Sequence, residues 1–132
     1  MKKVDLACII DDDPIYIFAT KKVMQMTDFC NDILVYNNGK EALDNLKDIV
    51  SSGENVPDII LLDVNMPVMD GWQFLDEFVQ IPANKKICIY MVTSSIDPDD
   101  INKAKTYDSL KNYIVKPITT QVLQNILSDL AA

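Results

Sequence analysis

Residues 6–13 read Leu-Ala-Cys-Ile-Ile-Asp-Asp-Asp, an apolar run that ends in three carboxylates. Three later stretches have the same design: Ile-Ile-Leu-Leu-Asp at 59–63, Ile-Cys-Ile-Tyr-Met-Val-Thr-Ser at 87–94 and Tyr-Ile-Val-Lys-Pro at 113–117. Short apolar runs of this kind are typical of buried parallel strands. Because parallel strands end at the same edge of a sheet, where open α/β sheets bind ligands, the four polar endings are expected to meet. The sequence therefore predicts a site that holds carboxylates, a hydroxyl and an ammonium, and this combination suits metal-assisted phosphoryl chemistry.

Between these runs the apolar residues recur with a helical period, so strands and helices alternate along the chain. The pattern predicts strands at 4–10, 33–36, 58–63, 87–92 and 113–116, and helices at 14–26, 40–50, 71–80, 98–107 and 119–130. Right-handed crossovers then favour a flavodoxin-like α/β fold, a doubly wound three-layer (βα)5 sandwich with parallel strand order 2-1-3-4-5. No linker interrupts the sequence, so residues 1–132 are expected to form one domain.

Two of these helices lead to specific expectations about packing. The helix at 98–107 has few apolar positions and should pack lightly. The helix at 14–26 is expected to bury one apolar face, made of Ile15, Phe18, Ala19, Val23 and Met26.

Composition excludes several classes of protein. The formal net charge of −8 makes direct contact with nucleic acid unfavourable. No apolar run approaches the roughly 20 residues that a membrane span needs, and the N-terminus does not resemble a signal peptide. The chain is therefore expected to act in the cytoplasm. It has no histidine, so any phosphohistidine involved in its function must belong to another protein.

The three cysteines, Cys8, Cys30 and Cys88, have no C-x-x-C spacing that would indicate zinc or redox chemistry. In the predicted strand order, the strand that ends in Asp63 separates those of Cys8 and Cys88 by two strand spacings. This distance of roughly 9–10 Å is too long for a disulfide. All three are expected to be reduced.

The acidic run needs more than helix capping to explain it. Asp13 can cap the helix that begins at Pro14, but Asp11 and Asp12 then lie one strand away from Asp63, and this crowding of carboxylates calls for a cation. Ligation by oxygen alone indicates a hard ion such as Mg²⁺. A carboxylate beside Mg²⁺ can also attack phosphorus and form an acyl phosphate.

The residues after the third and fifth strands extend this site. Pro67 and Gly71 are expected to hold the loop after Asp63, so that the main-chain oxygen of Asn65 points at the metal. Lys116 offers a point charge for a phosphoryl group. The Lys116–Pro117 bond is expected to be cis, which would aim the lysine inward.

These residues together resemble the receiver domain of two-component response regulators, over essentially the whole chain. The motifs that carry the resemblance are Ile-Ile-Asp-Asp-Asp-Pro at 9–14, Leu-Leu-Asp at 61–63 with Met-Pro at 66–67 and Asp-Gly at 70–71, Val-Thr-Ser at 92–94, and Tyr-Ile-Val-Lys-Pro at 113–117. Each motif is weak alone, but the four in this order are specific.

The resemblance implies a role for each site residue. Asp63 would accept a phosphoryl group from the phosphohistidine of a histidine kinase or phosphotransfer protein. Asp12 would bind Mg²⁺, or Mn²⁺ or Ca²⁺ in its place, together with Asp63 and the main-chain carbonyl of Asn65. Asp11 would act mainly through a metal-bound water.

The remaining implied roles concern the response to phosphorylation. Lys116 would pair with Asp63 and then with the phosphoryl group, which Thr93 would also bind. Tyr113 lies where the family has its switch aromatic. Phosphorylation would shift the face formed by the fourth helix, fifth strand and fifth helix, where a downstream protein would bind. Such a domain signals rather than catalyses, apart from self-phosphorylation by small donors and autodephosphorylation.

Two alternatives remain open. The first is a receiver-like interaction module that is never phosphorylated, although such modules usually lose part of the acidic cluster or the lysine. The second is a small phosphatase with an aspartate nucleophile. Such enzymes need a second catalytic aspartate two residues after the nucleophile, and this chain has Asn65 there.

Overall fold

The computed structural model describes residues 3–66, 68–83, 85–94, 97–107 and 110–131. The five strands form one parallel sheet in the order β2-β1-β3-β4-β5, so the predicted flavodoxin-like fold is confirmed. The elements in chain order are β1 Val4–Ile10, α1 Pro14–Met26, β2 Cys30–Tyr36, α2 Gly39–Ser52, β3 Ile59–Asp63, α3 Gly71–Phe78, β4 Cys88–Thr93, α4 Pro98–Ala104, β5 Leu110–Val115 and α5 Thr120–Ala131.

The strand at the β2 edge is longer than the sequence predicts. It begins at Cys30 instead of residue 33 and pairs with β1 from Val4 onward. Asn31 and Asp32 are exposed on this edge strand, and a pattern built on apolar residues misses them. The other edge strand, β5, likewise begins at Leu110, three residues before the prediction. Two predicted helices are too long, because α3 ends at Phe78 and α4 ends at Ala104.

Side chains alternate across the sheet and divide the core into two layers. In β3, Ile60 and Leu62 pack in the layer that contains buried residues of α2 and α3. Their neighbours Ile59 and Leu61 pack in the opposite layer with residues of α1 and α5. All four are almost completely buried, as expected for a central parallel strand. A shift in register that drew the charged Asp63 into this apolar interior would be costly, so Asp63 stays at the edge of the sheet.

The prediction for the buried face of α1 was wrong. Ile15, Phe18 and Met26 are 80%, 69% and 72% exposed, and Ala19 is exposed too. Among the five residues predicted to be buried, Val23 alone packs against the core. The helix has apolar residues all round, so periodicity does not select a face. The inward face is made of Ile17, Thr20 and Met24, with a polar residue at its centre.

The first turn of α3 lies against the end of β3. A Cβ on Gly71 would come within 2.5 Å of the main-chain oxygen of Asp63, so only glycine allows this approach. Gly71 donates a backbone hydrogen bond to Val64, and Asp70 forms a capping box with Gln73. These contacts fix both ends of the loop after Asp63. Pro67, which was also expected to hold this loop, lies outside the described residues.

Two expectations from composition can be compared with the structure. All three cysteines are free, as predicted. Within the described ranges, no helix has the length and apolar character to cross a membrane. The cytoplasmic location remains a prediction.

Candidate functional site

Three carboxylates converge at the carboxyl edge of the sheet. Asp11 and Asp12 follow β1, and Asp63 ends the neighbouring strand β3. One carboxylate oxygen from each of the three lies within 4.8 Å of the others. Asp11 and Asp63 are buried, whereas Asp12 is exposed. An oxygen set of this size, open on one side, fits a hard divalent cation that keeps part of its water shell.

The third carboxylate of the acidic run, that of Asp13, has a separate task. The side chain of Asp13 accepts hydrogen bonds from the backbone N–H groups of Ile15 and Tyr16, and so caps α1 as predicted. The backbone N–H of Asp13 donates to Oδ1 of Asp11 at 2.9 Å. This bond ties the buried carboxylate to the cap and orients it within the cluster.

Lys116 brings a positive charge into the cluster from the end of β5. Its Nζ lies 2.8 Å from Oδ2 of Asp11 and 3.6 Å from Oδ1 of Asp63. The family resemblance implies pairing with Asp63, but the closer partner in this structure is Asp11. The Lys116 side chain is only 15% exposed, and its backbone N–H donates to the carbonyl of Thr93. The Lys116–Pro117 peptide bond is cis, as expected from the sequence.

Burial and crowding change the acidity of Asp63. Burial raises the pKa of its carboxyl to about 6, and the charges of Asp11 and Asp12 also raise it. Lys116 opposes these effects through its charge and its hydrogen bond. The ammonium of Lys116 thus faces three carboxylates, so ionisation of Asp63 costs more free energy than ionisation of a solvent-exposed aspartate unless another cation shares the site.

Thr93 and Tyr113 lie on the neighbouring strands β4 and β5. Thr93 is almost completely buried where β4 ends, and the hydroxyl oxygen of Tyr113 is also buried. Burial raises the pKa of Tyr113, a hydrogen bond with Thr93 lowers it, and the charges of Asp100 and Asp97 raise it. The two hydroxyl side chains therefore interact, and the tyrosine faces the acidic first turn of α4.

Asn65 occupies an exposed position in the loop, two residues after Asp63. The backbone N–H of Val64 donates to the carbonyl of Val92 at 3.1 Å, which holds the start of this loop against β4. The carbonyl of Asn65 as a metal ligand remains a prediction.

Sequence reasoning missed Tyr16. The Nζ of Lys116 lies 3.9 Å from the centroid of the Tyr16 ring, close enough for a cation–π contact. The available signal was an aromatic residue in the first turn of the helix that follows the acidic run. That signal is weak because it does not show which way the ring points. The sequence also predicted the wrong buried face for α1, which hid the position of Tyr16.

Sequence reasoning also missed the contacts that hold α4. No residue of this helix is buried, which agrees with the light packing predicted for it. Polar and aromatic contacts tie it to α3 instead, and we call this set the α3–α4 clasp. The Nε1–H of Trp72 donates a hydrogen bond to Oδ1 of Asp100 at 3.0 Å. The Trp72 ring stacks on that of Tyr107, with 5.6 Å between the ring centroids, and the Nζ of Lys103 lies 5.1 Å from the Trp72 ring centroid. The hydroxyl of Tyr107 donates to Asp76.

Comparisons with known proteins agree on one family. A model described as the response regulator receiver domain matches residues 7–128. A two-component response regulator from Cytophaga hutchinsonii has a similar crystal structure, with a TM-score of 0.90, 31% identity and 98% of each chain covered. The chemotaxis protein CheY of Treponema pallidum is 27% identical over 127 residues, which cover 91% of this chain and 78% of that protein.

Another match involves only a small part of a larger protein. The sensor histidine kinase CheAY of Helicobacter pylori is 32% identical over 95 residues, which cover 72% of this chain. The matched region is only 11% of that protein. Related sequences thus occur both as most of a small protein and as a minor part of a large one.

The burial of Asp63 and the crowding of carboxylates around it predict how Asp63→Asn changes stability. The folded-state pKa of about 6 lies above the ordinary value of 3.8, so the folded state binds more protons than the unfolded state between these two values. Ionisation of Asp63 therefore costs stability as pH rises through this window. In metal-free buffer near neutral pH, Asp63→Asn should raise the free energy of unfolding by roughly 2–3 kcal/mol. Near pH 4 the gain should be almost absent.

Urea unfolding across this pH range, with a chelator present, measures the effect. Asp48→Asn, which replaces an exposed carboxyl on α2, is the matched control and should show no such pH dependence. An Asp63→Asn variant no more stable than the wild type at neutral pH would contradict the prediction.

Proposed function

This chain belongs to the response regulator receiver domain family, and from that membership we propose that Asp63 accepts a phosphoryl group. The donor is a phosphohistidine on a histidine kinase or phosphotransfer protein. This phosphohistidine belongs to another protein, since the chain has no histidine of its own. The observation that carries the proposal is the buried Asp63 carboxylate, with two further carboxylates and the Lys116 ammonium around it. Receiver domains generally bind Mg²⁺ at an acidic pocket of this kind.

In the proposed metal site, Asp12, Asp63 and the main-chain carbonyl of Asn65 bind Mg²⁺ directly, and Asp11 acts mainly through a metal-bound water. Mg²⁺, or Mn²⁺ or Ca²⁺ in its place, supplies positive charge that offsets the carboxylates and the incoming phosphoryl oxygens. The exposure of Asp12 leaves an open approach to the site. Asp11 lies on the buried side of the cluster, where its side chain accepts a hydrogen bond from the backbone N–H of Asp13.

The transfer itself is a displacement at phosphorus. An oxygen of the Asp63 carboxylate forms a new P–O bond as the P–N bond to the donor imidazole breaks, and the imidazole nitrogen keeps the electron pair of that bond. Lys116 is 3.6 Å from Asp63, so a modest shift away from Asp11 would let it donate to a phosphoryl oxygen. The hydroxyl of Thr93 would donate to another.

Acetyl phosphate tests this chemistry without a protein donor. With Mg²⁺ present, the wild type should gain the mass of one phosphoryl group, because the small donor presents the same reacting phosphorus. The gain should be absent in Asp63→Asn and in wild type treated with a chelator. Asp48→Asn should behave as the wild type. Intact mass spectrometry measures the outcome, and a wild type without the gain would favour an interaction module that is never phosphorylated.

The surface beside the site suggests where the protein donor docks. The exposed residues Ile15, Phe18 and Met26 form a largely apolar stripe along α1, with the exposed Lys22 between Phe18 and Met26. This stripe begins two residues after Asp13. Exposed apolar stripes of this kind mark protein interfaces. We propose that the phosphohistidine-bearing protein packs an apolar helix face against the α1 stripe, because that position brings the histidine towards Asp63.

Phe18→Ser tests the α1 stripe. Phosphotransfer from a radiolabelled histidine kinase that phosphorylates the wild type should become at least about fivefold slower, since an exposed aromatic at an interface often contributes more than 1 kcal/mol. Uptake from acetyl phosphate should not change. Val79→Ser removes another exposed apolar side chain, at the end of α3, and is the matched control. Equal transfer to Phe18→Ser and wild type would exclude the stripe as the docking site.

We further propose that phosphorylation changes the face formed by α4, β5 and α5, where a downstream protein binds. The pair Thr93–Tyr113 supports this proposal because it joins the site to the acidic first turn of α4. A phosphoryl group adds about −1.5 to −2 charges and three acceptor oxygens beside Thr93. If Thr93 turns towards it, the hydrogen bond with Tyr113 changes, and α4 is the element with the lightest packing to respond.

The phosphoryl mimic BeF₃⁻ tests this switch. Together with Mg²⁺ it should shift backbone amide resonances of residues 98–107 and 110–118, because both segments lie on the α4–β5–α5 face. The fluorescence of Trp72, the single tryptophan, should change with them, since it contacts α4. Asp63→Asn is the control and should show neither change. BeF₃⁻ binding that leaves 98–118 unshifted would rule out the proposed switch.

A further inference from the structure

Among the residues that the structure describes, two carboxylates and one aromatic ring lie close to the ammonium of Lys116. The ring is that of Tyr16, whose centroid is 3.9 Å from Nζ. Lysine has three N–H donors and no acceptor, so its direction is set by what surrounds the nitrogen. Asp11 is at 2.8 Å and Asp63 at 3.6 Å, and the aromatic face occupies a further side of the ammonium.

The ring of Tyr16 is itself fixed in position. Its backbone N–H donates to the side chain of Asp13, so the residue belongs to the capped first turn of α1. Its hydroxyl oxygen is buried, near the buried side chain of Thr20 one turn later. Burial of the hydroxyl and packing of the ring against the core limit how far the ring can move.

The contact is between a cation and a neutral ring. Burial raises the pKa of the Tyr16 phenol, the neighbouring hydroxyl of Thr20 lowers it, and the charges of Asp11 and Asp63 raise it further. The phenol therefore keeps its proton at neutral pH. A cation–π contact is strongest where both partners are shielded from water, and here the lysine side chain is only 15% exposed.

We propose that Tyr16 is a positioning residue for phosphoryl capture, and that it acts through Lys116. The ring confines the ammonium to the carboxylate cluster. From there a short movement from Asp11 brings it to a phosphoryl group on Asp63. Without the ring, the four-carbon side chain of Lys116 gains freedom to extend towards solvent. This inference rests on the proposed phosphoacceptor function of Asp63 and names a further residue that supports it.

The alternative is that Tyr16 only fills space between α1 and the sheet, since it also packs against the core. The two roles predict different effects for two substitutions of Tyr16. Tyr16→Phe keeps the aromatic face and loses the hydroxyl, whereas Tyr16→Leu keeps apolar bulk and loses the face. A positioning role predicts that phenylalanine substitutes for tyrosine and leucine does not.

The first experiment reads the contact directly, in the metal-free protein without any phosphoryl donor. Protons that lie over an aromatic face resonate upfield, so the ε-methylene protons of Lys116 should be shifted upfield in the wild type and in Tyr16→Phe. Tyr16→Leu should remove this shift. Lys103, which lies over Trp72, provides an internal control whose shift should persist in all three proteins.

The second experiment measures capture of the phosphoryl mimic. In a ¹⁹F NMR titration with BeF₃⁻ at saturating Mg²⁺, Tyr16→Leu should raise the apparent Kd by about three- to tenfold, and Tyr16→Phe should stay within about twofold of the wild type. In a Lys116→Met background, Tyr16→Leu should have no further effect, because the residue through which it acts is absent.

The outcomes separate this inference from the proposed function. A wild type that takes up BeF₃⁻ and acetyl phosphate, with Tyr16→Leu equally competent, overturns the role of Tyr16 alone. An equal loss in Tyr16→Phe and Tyr16→Leu, or a loss that persists in the Lys116→Met background, identifies a structural residue and also overturns it. A wild type that takes up neither reagent removes the proposed function and the role of Tyr16 together.

Discussion

The chemistry of the site depends on the repulsion among three carboxylates at one edge of the sheet. Parallel pairing of β1 with β3 brings Asp11 and Asp12 beside Asp63, and burial holds the carboxylates of Asp11 and Asp63 close together. The ammonium of Lys116 is close enough to offset part of this charge. Burial of Asp63, together with the negative charges of its neighbours, raises the pKa of its carboxyl. A divalent cation would offset the remaining negative charge of the site, and a phosphoryl group would change that charge. Both are part of the proposed function.

Most of the fold and the composition of the site could be predicted from the sequence because both depend on local patterns. Buried parallel strands are continuous apolar runs, and each run here ends in its functional residue, as in the stretch before Asp63. Strand order then decides which endings meet. The cap at Asp13 and the position of Gly71 follow from similarly local rules, since one is a capping residue before proline and the other allows a close backbone approach.

What could not be predicted depends on how helices rotate and which side chains they bring together. The α1 stripe was assigned to the core because a helix that is apolar all round has no distinct moment, and a threonine, Thr20, lies at the centre of the true inward face. The contact between Tyr16 and Lys116 joins residues a hundred positions apart, so no local pattern contains it. The α3–α4 clasp around Trp72 has the same character.

The central claim is that Asp63 forms an acyl phosphate. Borohydride reduces an acyl phosphate to an alcohol, and so converts a phosphorylated aspartate into homoserine. We expect the peptide that contains residue 63 to carry homoserine at that position after treatment of the wild type with acetyl phosphate, Mg²⁺ and then borohydride. Protein that received no phosphoryl donor should retain aspartate there. An unchanged Asp63 in the treated protein, or a phosphoryl group recovered on another residue, would contradict the account.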